Sequence, residues 1–210
     1  MPGIVKVCGL TSLDDARAAL DAGADWLGFV VMGEGPRVLP LARAAEIVAS
    51  LPGAVTVAVM VGADPSEALA TARTLGVSRV QLHRVDPAAW PVDYPVPVAF
   101  AVSMGADGGL KAALPAPGRL VLLDRAHASL AGGTGETVPW SHAAPIARSR
   151  DVLLAGGLSP DNVAEAIGIV RPWGVDAASR LESAPGVKDH DRVRRYVAAA
   201  RAAFERKPHD

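Results

Sequence analysis

One cysteine, Cys8, is all the thiol chemistry that 210 residues offer. An intrachain disulfide is therefore excluded, and a reducing cytoplasm is the expected compartment. Neither sign of charge is in surplus: 21 basic against 22 acidic residues leave a formal net charge of −1. That balance gives no electrostatic reason to expect nucleic acid or an anionic membrane as partner. Aromatic residues make up only 4% of the chain, so the core must come from Ala, Val and Leu. No apolar run reaches the roughly 18 residues a membrane-crossing helix needs, because charges or glycines interrupt each one. The first residues lead straight into a strand pattern, without a basic and apolar leader. Missing too are a Gly-x-Gly-x-x-Gly after the first strand, a P-loop, and any His/Cys/Asp spacing of metal-site type. The expectation is a soluble cytoplasmic protein that needs no metal, long enough to bury a substantial core.

What is present is alternation. β-rich apolar runs predict strands at 4–8, 25–31, 54–60, 77–82, 96–102, 119–124, 151–155 and 173–178. Several are continuous, such as Leu120-Val121-Leu122-Leu123, as strands buried on both faces require. Helical patterns lie between them: 13–22 after Ser12, 41–51, 65–75 opened by Asp64-Pro65 and ended by Gly76, 160–170 after Ser159-Pro160, and a last helix at 192–206. The segments 86–90 and 105–114 are weaker, the first a single turn's worth of helix and the second broken by three glycines. No composition break divides the chain, so residues 1–210 read as one domain. Eight strands, most followed by a helix, predict an α/β fold of the (β/α)8 TIM-barrel type. An open doubly wound sheet is the runner-up.

In such a barrel the carboxyl ends of the strands share one rim, and residues far apart in sequence converge there. Cys8 ends the first strand and Asp124 the sixth, a thiol and a carboxyl suited to paired base and acid work. Each has a blander reading, Cys8 as a small buried hydrophobe and Asp124 as a cap or loop salt bridge. Arg37, after the second strand, can hold a carboxylate through its planar fork or sit solvated in its loop. Gln81 and His83 end the fourth strand, with His83 equally readable as structural. The loop after strand six holds Gly132-Gly133-Thr134-Gly135. Gly156-Gly157 follows strand seven and Ser179-Arg180 strand eight, where barrels commonly bind phosphate at backbone N–H groups and a helix N-terminus. Trp26 and Trp173 read as packing. Strand parity adds one inference. Lys6 points inward like Cys8, Asp176 does likewise on the neighbouring last strand, and the two are expected to pair below the thiol.

Taken together, the chain resembles the phosphoribosylanthranilate isomerase family. The resemblance rests on Lys6-Val7-Cys8-Gly9-Leu10-Thr11, Gly23-Ala24-Asp25-Trp26-Leu27-Gly28-Phe29-Val30, Pro36-Arg37 and Val80-Gln81-Leu82-His83. It continues through Leu122-Leu123-Asp124, Gly132-Gly133-Thr134-Gly135, Leu154 to Val163, Gly174-Val175-Asp176 and Ser183 to Asp189. It implies an Amadori rearrangement without metal or organic cofactor. Asp124 would protonate the ribose ring oxygen and Cys8 would remove the C2 proton. Arg37 would hold the anthranilate carboxylate, the glycine loops and Ser179-Arg180 the phosphate, and the loop 125–139 would cover the substrate. The implied partner is a small phosphorylated aminosugar, handled by a monomer or homodimer.

Four departures stand against the family pattern: Arg84 and Arg180 where glycine is usual, Gly35 for serine, and Val138-Pro139 for the usual Phe before Trp140. They keep open a divergent enzyme acting on another substrate and a catalytically silent barrel used for binding. A Schiff-base aldolase using Lys6 is disfavoured by the expected carboxylate partner.

Overall fold

Ile4–Val7 (β1) is a β-branched run that opens a cycle repeated along the chain. The computed structural model describes residues 3–125 and 138–206. Within them β1 is followed by α1 (Leu13–Asp21), β2 (Trp26–Met32), α2 (Leu41–Ala49), β3 (Val55–Val61), α3 (Pro65–Leu75), β4 (Arg79–His83) and β5 (Val98–Met104). Then come β6 (Leu120–Arg125), α4 (Trp140–Ser149), β7 (Val152–Leu154), α5 (Val163–Val170), β8 (Gly174–Ala177), β9 (Glu182–Ala184), β10 (Val187–Lys188) and α6 (His190–Glu205). Strands β1 to β8 are parallel neighbours in chain order and β8 pairs back onto β1, so the sheet closes into a TIM barrel. β9 and β10 form a separate antiparallel pair beyond β8.

Helix boundaries follow local chemistry. Ser12 caps α1 by accepting from the Asp15 amide. Asp64 and Glu67 make a reciprocal capping box at α3, and Gly76 ends that helix in the left-handed region. The helix expected from residue 160 begins at Val163 instead. Asn162 holds the preceding residues in a turn, accepting from the Ser159 amide at 2.8 Å and donating to the Gly157 carbonyl at 3.0 Å. The last helix starts at His190, two residues before its expected start, because Asp189 caps it. Helix α4 has no counterpart among the expected elements. Pro145 lies inside it and removes a backbone donor, which disguises a ten-residue helical pattern.

No full helix follows β4 or β5 among the described residues, only a 3₁₀ turn at Pro87–Ala89 and irregular chain. Aromatic packing covers the barrel there. Trp90 lies 4.9 Å from Tyr94 and 5.8 Å from Phe100 between ring centroids, and Arg119 donates to the Trp90 carbonyl at 2.9 Å.

The strands alternate between two cores. Val5, Val7, Leu27, Phe29, Leu82 and Phe100 face outward to the helix layer. Trp26, Val57, Leu122 and Leu153 fill the barrel, with the Trp26 ring tilted against Trp173 at 5.4 Å between centroids. At the closing seam Ile4 lies opposite Gly174, Lys6 opposite Asp176 and Val7 opposite Ala177. Gly174 admits that closure, because a Cβ there would come 2.8 Å from the Ile4 carbonyl oxygen and 2.9 Å from Leu153. Gly168, exposed on α5, meets nothing within 4 Å. We expect Gly174→Ala to lower unfolding stability by about 1–3 kcal/mol through overpacking. Gly168→Ala should raise it by about 0.5–1 kcal/mol. Urea denaturation of the two variants checks both signs.

Candidate active site at the carboxyl rim

Cys8 follows β1 directly, its amide donating to the Ala177 carbonyl of β8 at 2.9 Å. Below it Lys6 is fully buried, its ammonium 3.0 Å from each oxygen of Asp176. This is the pair expected from strand parity. Gly28 on β2 makes room for thiol and ammonium together, since a Cβ there would lie 2.8 Å from Cys8 Sγ and 2.9 Å from Lys6 Nζ. Burial works against the Lys6 charge, but Asp176, and Cys8 on ionising, outweigh it and hold the ammonium above its ordinary value. Burial likewise pushes the Cys8 thiol up, with Lys6 opposing. The thiol rests protonated beside a cation ready to receive its negative form.

Asp124 is the penultimate residue of β6, on the same inward parity as Leu120 and Leu122, and its Oδ1 accepts from the Arg125 amide at 2.7 Å. Gln81 and His83 share that parity on β4, with Gln81 Nε2 2.9 Å from His83 Nε2. With the amide N–H donating, the imidazole accepts at Nε2 and carries its proton on Nδ1. Burial, then the charges of Lys6 and Arg84, lower this histidine to about 4. It is neutral at physiological pH.

Arg37 lies across Gly9, where a Cβ would come 2.7 Å from its Cδ, so it stands against the turn that carries Cys8. Its guanidinium is held along one edge by a single carboxylate. Nε donates to Glu182 Oε1 at 2.8 Å and Nη2 to Oε2 at 2.7 Å, a bidentate grip. Lys188, buried on β10, donates to the same Glu182 Oε1 at 2.9 Å. Burial disfavours the Glu182 charge, but Arg37 and Lys188 prevail and hold its carboxyl below the usual range. Sequence reasoning did not single out Glu182 or Lys188. Their signal was the charged pair flanking Ser183 to Gly186, which no periodicity exposes.

The Gly156-Gly157 pair follows β7 at the carboxyl rim. Gly156 and Gly157 have φ of 80° and 75°, and a Cβ on Gly156 would meet the Arg125 amide and Val138 at 2.8 Å. Ser179 and Arg180 are exposed in a 3₁₀ turn. Arg84 takes the left-handed conformation at φ 55°, whereas Arg180 does not. Gly133 and its loop lie outside the described residues. Among those described, no cluster of three or more His, Cys, Asp and Glu is arranged to hold a metal ion, and no helix is long and apolar enough to cross a membrane.

An inward thiol over a buried ammonium, a carboxyl on a non-adjacent strand and paired glycines after β7 share the carboxyl rim, where enzymes of the (β/α)8 class mount their catalytic groups. The comparisons narrow this. A family model described as N-(5'phosphoribosyl)anthranilate (PRA) isomerase matches residues 5–199. An N-(5'-phosphoribosyl)anthranilate isomerase from Cellvibrio japonicus is 38% identical over 93% of this chain and 92% of its own. Monomers generated from the dimeric isomerase of Thermotoga maritima superpose with a TM-score of 0.80 at 32% identity, over 95% of this chain and 99% of theirs. A phosphoribosyl anthranilate isomerase solved with reduced 1-(o-carboxyphenylamino)-1-deoxyribulose 5-phosphate gives 0.76 at 29% identity, over 95% and 99%. The chain belongs to the N-(5'-phosphoribosyl)anthranilate isomerase family of tryptophan biosynthesis.

Removing Lys6 tests the electrostatic construction. We expect Lys6→Met to cost about 3–5 kcal/mol in urea unfolding, because Asp176 is left charged and unpaired. A second substitution, Asp176→Asn, should recover part of that loss. In Lys6→Met the cation opposing burial is gone, so alkylation of Cys8 by iodoacetamide becomes slower at pH 8 and its pH profile moves upward.

Proposed function

We propose that Cys8 and Asp124 are the base and acid with which this isomerase converts N-(5'-phosphoribosyl)anthranilate to the carboxyphenylamino-deoxyribulose phosphate. Asp124 donates a proton to the ribose ring oxygen as the C1–O bond breaks, and the anthranilate nitrogen supplies its electron pair to form a Schiff base at C1. Cys8, as thiolate, takes the C2 proton, and the electrons of that bond pass to the nitrogen to give an enolamine. Ketonisation of the C2 hydroxyl, with protonation at C1, yields the aminoketose.

The observation that carries this assignment is the Lys6 ammonium fixed between Asp176 and Cys8. A thiol serving only as core filling gains nothing from a neighbouring cation, whereas a thiolate base does. The three chemical parts of the analogue bound to the solved relative match the rim. The aryl carboxylate suits Arg37, the reduced aminosugar chain suits Cys8 and Asp124, and the phosphate suits Gly156, Gly157, Ser179 and Arg180, with Gly133 in the loop after β6. Gln81 and the neutral His83 complete the substrate contacts as hydrogen-bonding groups without added charge. We place the protein in the cytoplasm, as a monomer or homodimer.

The test is loss of the anthranilate-adduct fluorescence on addition of protein to freshly made phosphoribosylanthranilate. Wild-type protein should turn the substrate over. Cys8→Ala and Asp124→Asn should each lower kcat by at least about 100-fold while keeping the wild-type circular dichroism spectrum. Near wild-type turnover in either variant removes that residue from the mechanism.

A further inference from the structure

We propose that the β9–β10 hairpin is the specificity element for the aryl carboxylate, with Glu182 the positioning residue that aims Arg37. The inference rests on Arg37 being the carboxylate contact. The guanidinium has five N–H donors in a rigid plane. Glu182 takes one donor of Nε and one of Nη2, along one edge. The remaining donors, on Nη1 and Nη2, are left as a second fork whose direction Glu182 sets. Without that grip Arg37 is a long side chain, 31% exposed, that a ligand would have to immobilise on binding.

Charge supports the same reading. Arg37 and Lys188 each bring +1 and Glu182 brings −1, so the trio retains +1, which one carboxylate neutralises. Lys188 cannot turn away to serve solvent, because its ammonium is buried and also donates to the Ala178 carbonyl at 3.0 Å. Burial and Glu182 act on it in opposition, and its affinity for a proton is below the ordinary value.

The hairpin is anchored on every side that matters for aim. The Arg192 guanidinium donates to the Glu182 carbonyl at 2.6 Å, and the Lys188 amide donates to Asp15 of α1 at 3.3 Å. Thr11, three residues beyond Cys8, donates to the Gly186 carbonyl. Gly186 sits so close to the Arg37 loop that a Cβ would come 2.7 Å from the Pro36 carbonyl oxygen. The hairpin turn therefore ties the loop of the base to the loop of the carboxylate contact, and Glu182 fixes the side chain between them.

The test compares kcat/KM for N-(5'-phosphoribosyl)anthranilate with that for N-(5'-phosphoribosyl)aniline, which lacks the carboxylate. Wild-type protein, Arg37→Ala and Glu182→Gln are measured side by side. Glu182→Gln should reduce the preference for the carboxylated substrate at least about tenfold, through its KM, with the aniline adduct little affected. Arg37→Ala should collapse the preference further, and adding Glu182→Gln to it should cost nothing more. An unchanged preference in Glu182→Gln, or an equal loss on both substrates, overturns the inference. Should Glu182→Gln fail to melt cooperatively, Glu182→Asp, which keeps the charge and shortens the reach, is read by the same ratio. Wild-type turnover with Arg37→Ala retaining full preference would refute the Arg37 assignment and this inference with it. Absence of wild-type turnover would instead strike the proposed function.

Discussion

Lys6 and Asp176 face each other across the junction of β1 and β8, in an interior that neither charge could occupy alone. Closure of the barrel brings the first strand of the chain to the last, and the pair specifies how they meet. A one-residue slip of β8 would turn Asp176 to the outer face and leave Lys6 buried without a counter-charge. A penalty of several kcal/mol per uncompensated buried ion makes such registers uncompetitive. The same ammonium then supports the thiol above it, so fold closure and the chemistry of the proposed base share one contact. Gly28 on the other neighbouring strand is part of that arrangement, because any larger residue would fill the space that thiol and ammonium occupy.

Around this pair the rim distributes charge by role. Positive charge is concentrated where an anion must be held: Lys6 under the thiol, and Arg37 and Lys188 sharing Glu182 beside it. His83 adds no further cation, because burial and the charge of Lys6 itself keep it neutral. In the proposed mechanism it therefore offers substrate a hydrogen bond without competing with Arg37 for the carboxylate. Burial keeps the thiol protonated at rest, and the adjacent ammonium supplies the attraction that the proposed thiolate base requires.

The barrel and much of its rim were legible in the sequence because they obey short periods. Continuous apolar runs marked the strands, Ser12, Asp64 and Gly76 marked helix ends, and parity placed Lys6 against Asp176. What escaped had no period to read. Pro145 disguised α4, and the turn held by Asn162 delayed α5, so the helix offered for phosphate binding starts farther from Gly157 than expected. Arg37 was recognised as a fork, but its partner Glu182 is 145 residues away. Contacts of that kind arise from how loops cross the rim, and a two-strand hairpin of three and two residues leaves no alternation to detect.

The two arginines that replace family glycines illustrate how different a single substitution can be in physical terms. Arg84 occupies a left-handed backbone at φ 55°, so the local path is the one a glycine would take, retained at a steric cost of about 1–2 kcal/mol. Its side chain, exposed beyond β4, contributes charge toward His83 and not bulk within the barrel. Arg180 has no such backbone demand, and any residue can adopt its conformation. Its exposed side chain adds a cation on the side where the phosphate of the substrate is expected. Neither substitution disturbs Lys6, Cys8, Asp176 or the Arg37–Glu182 grip, so the groups proposed to recognise the anthranilate adduct and move its protons are intact. The departures therefore favour the family's own reaction with an added positive charge at its phosphate end over a changed substrate.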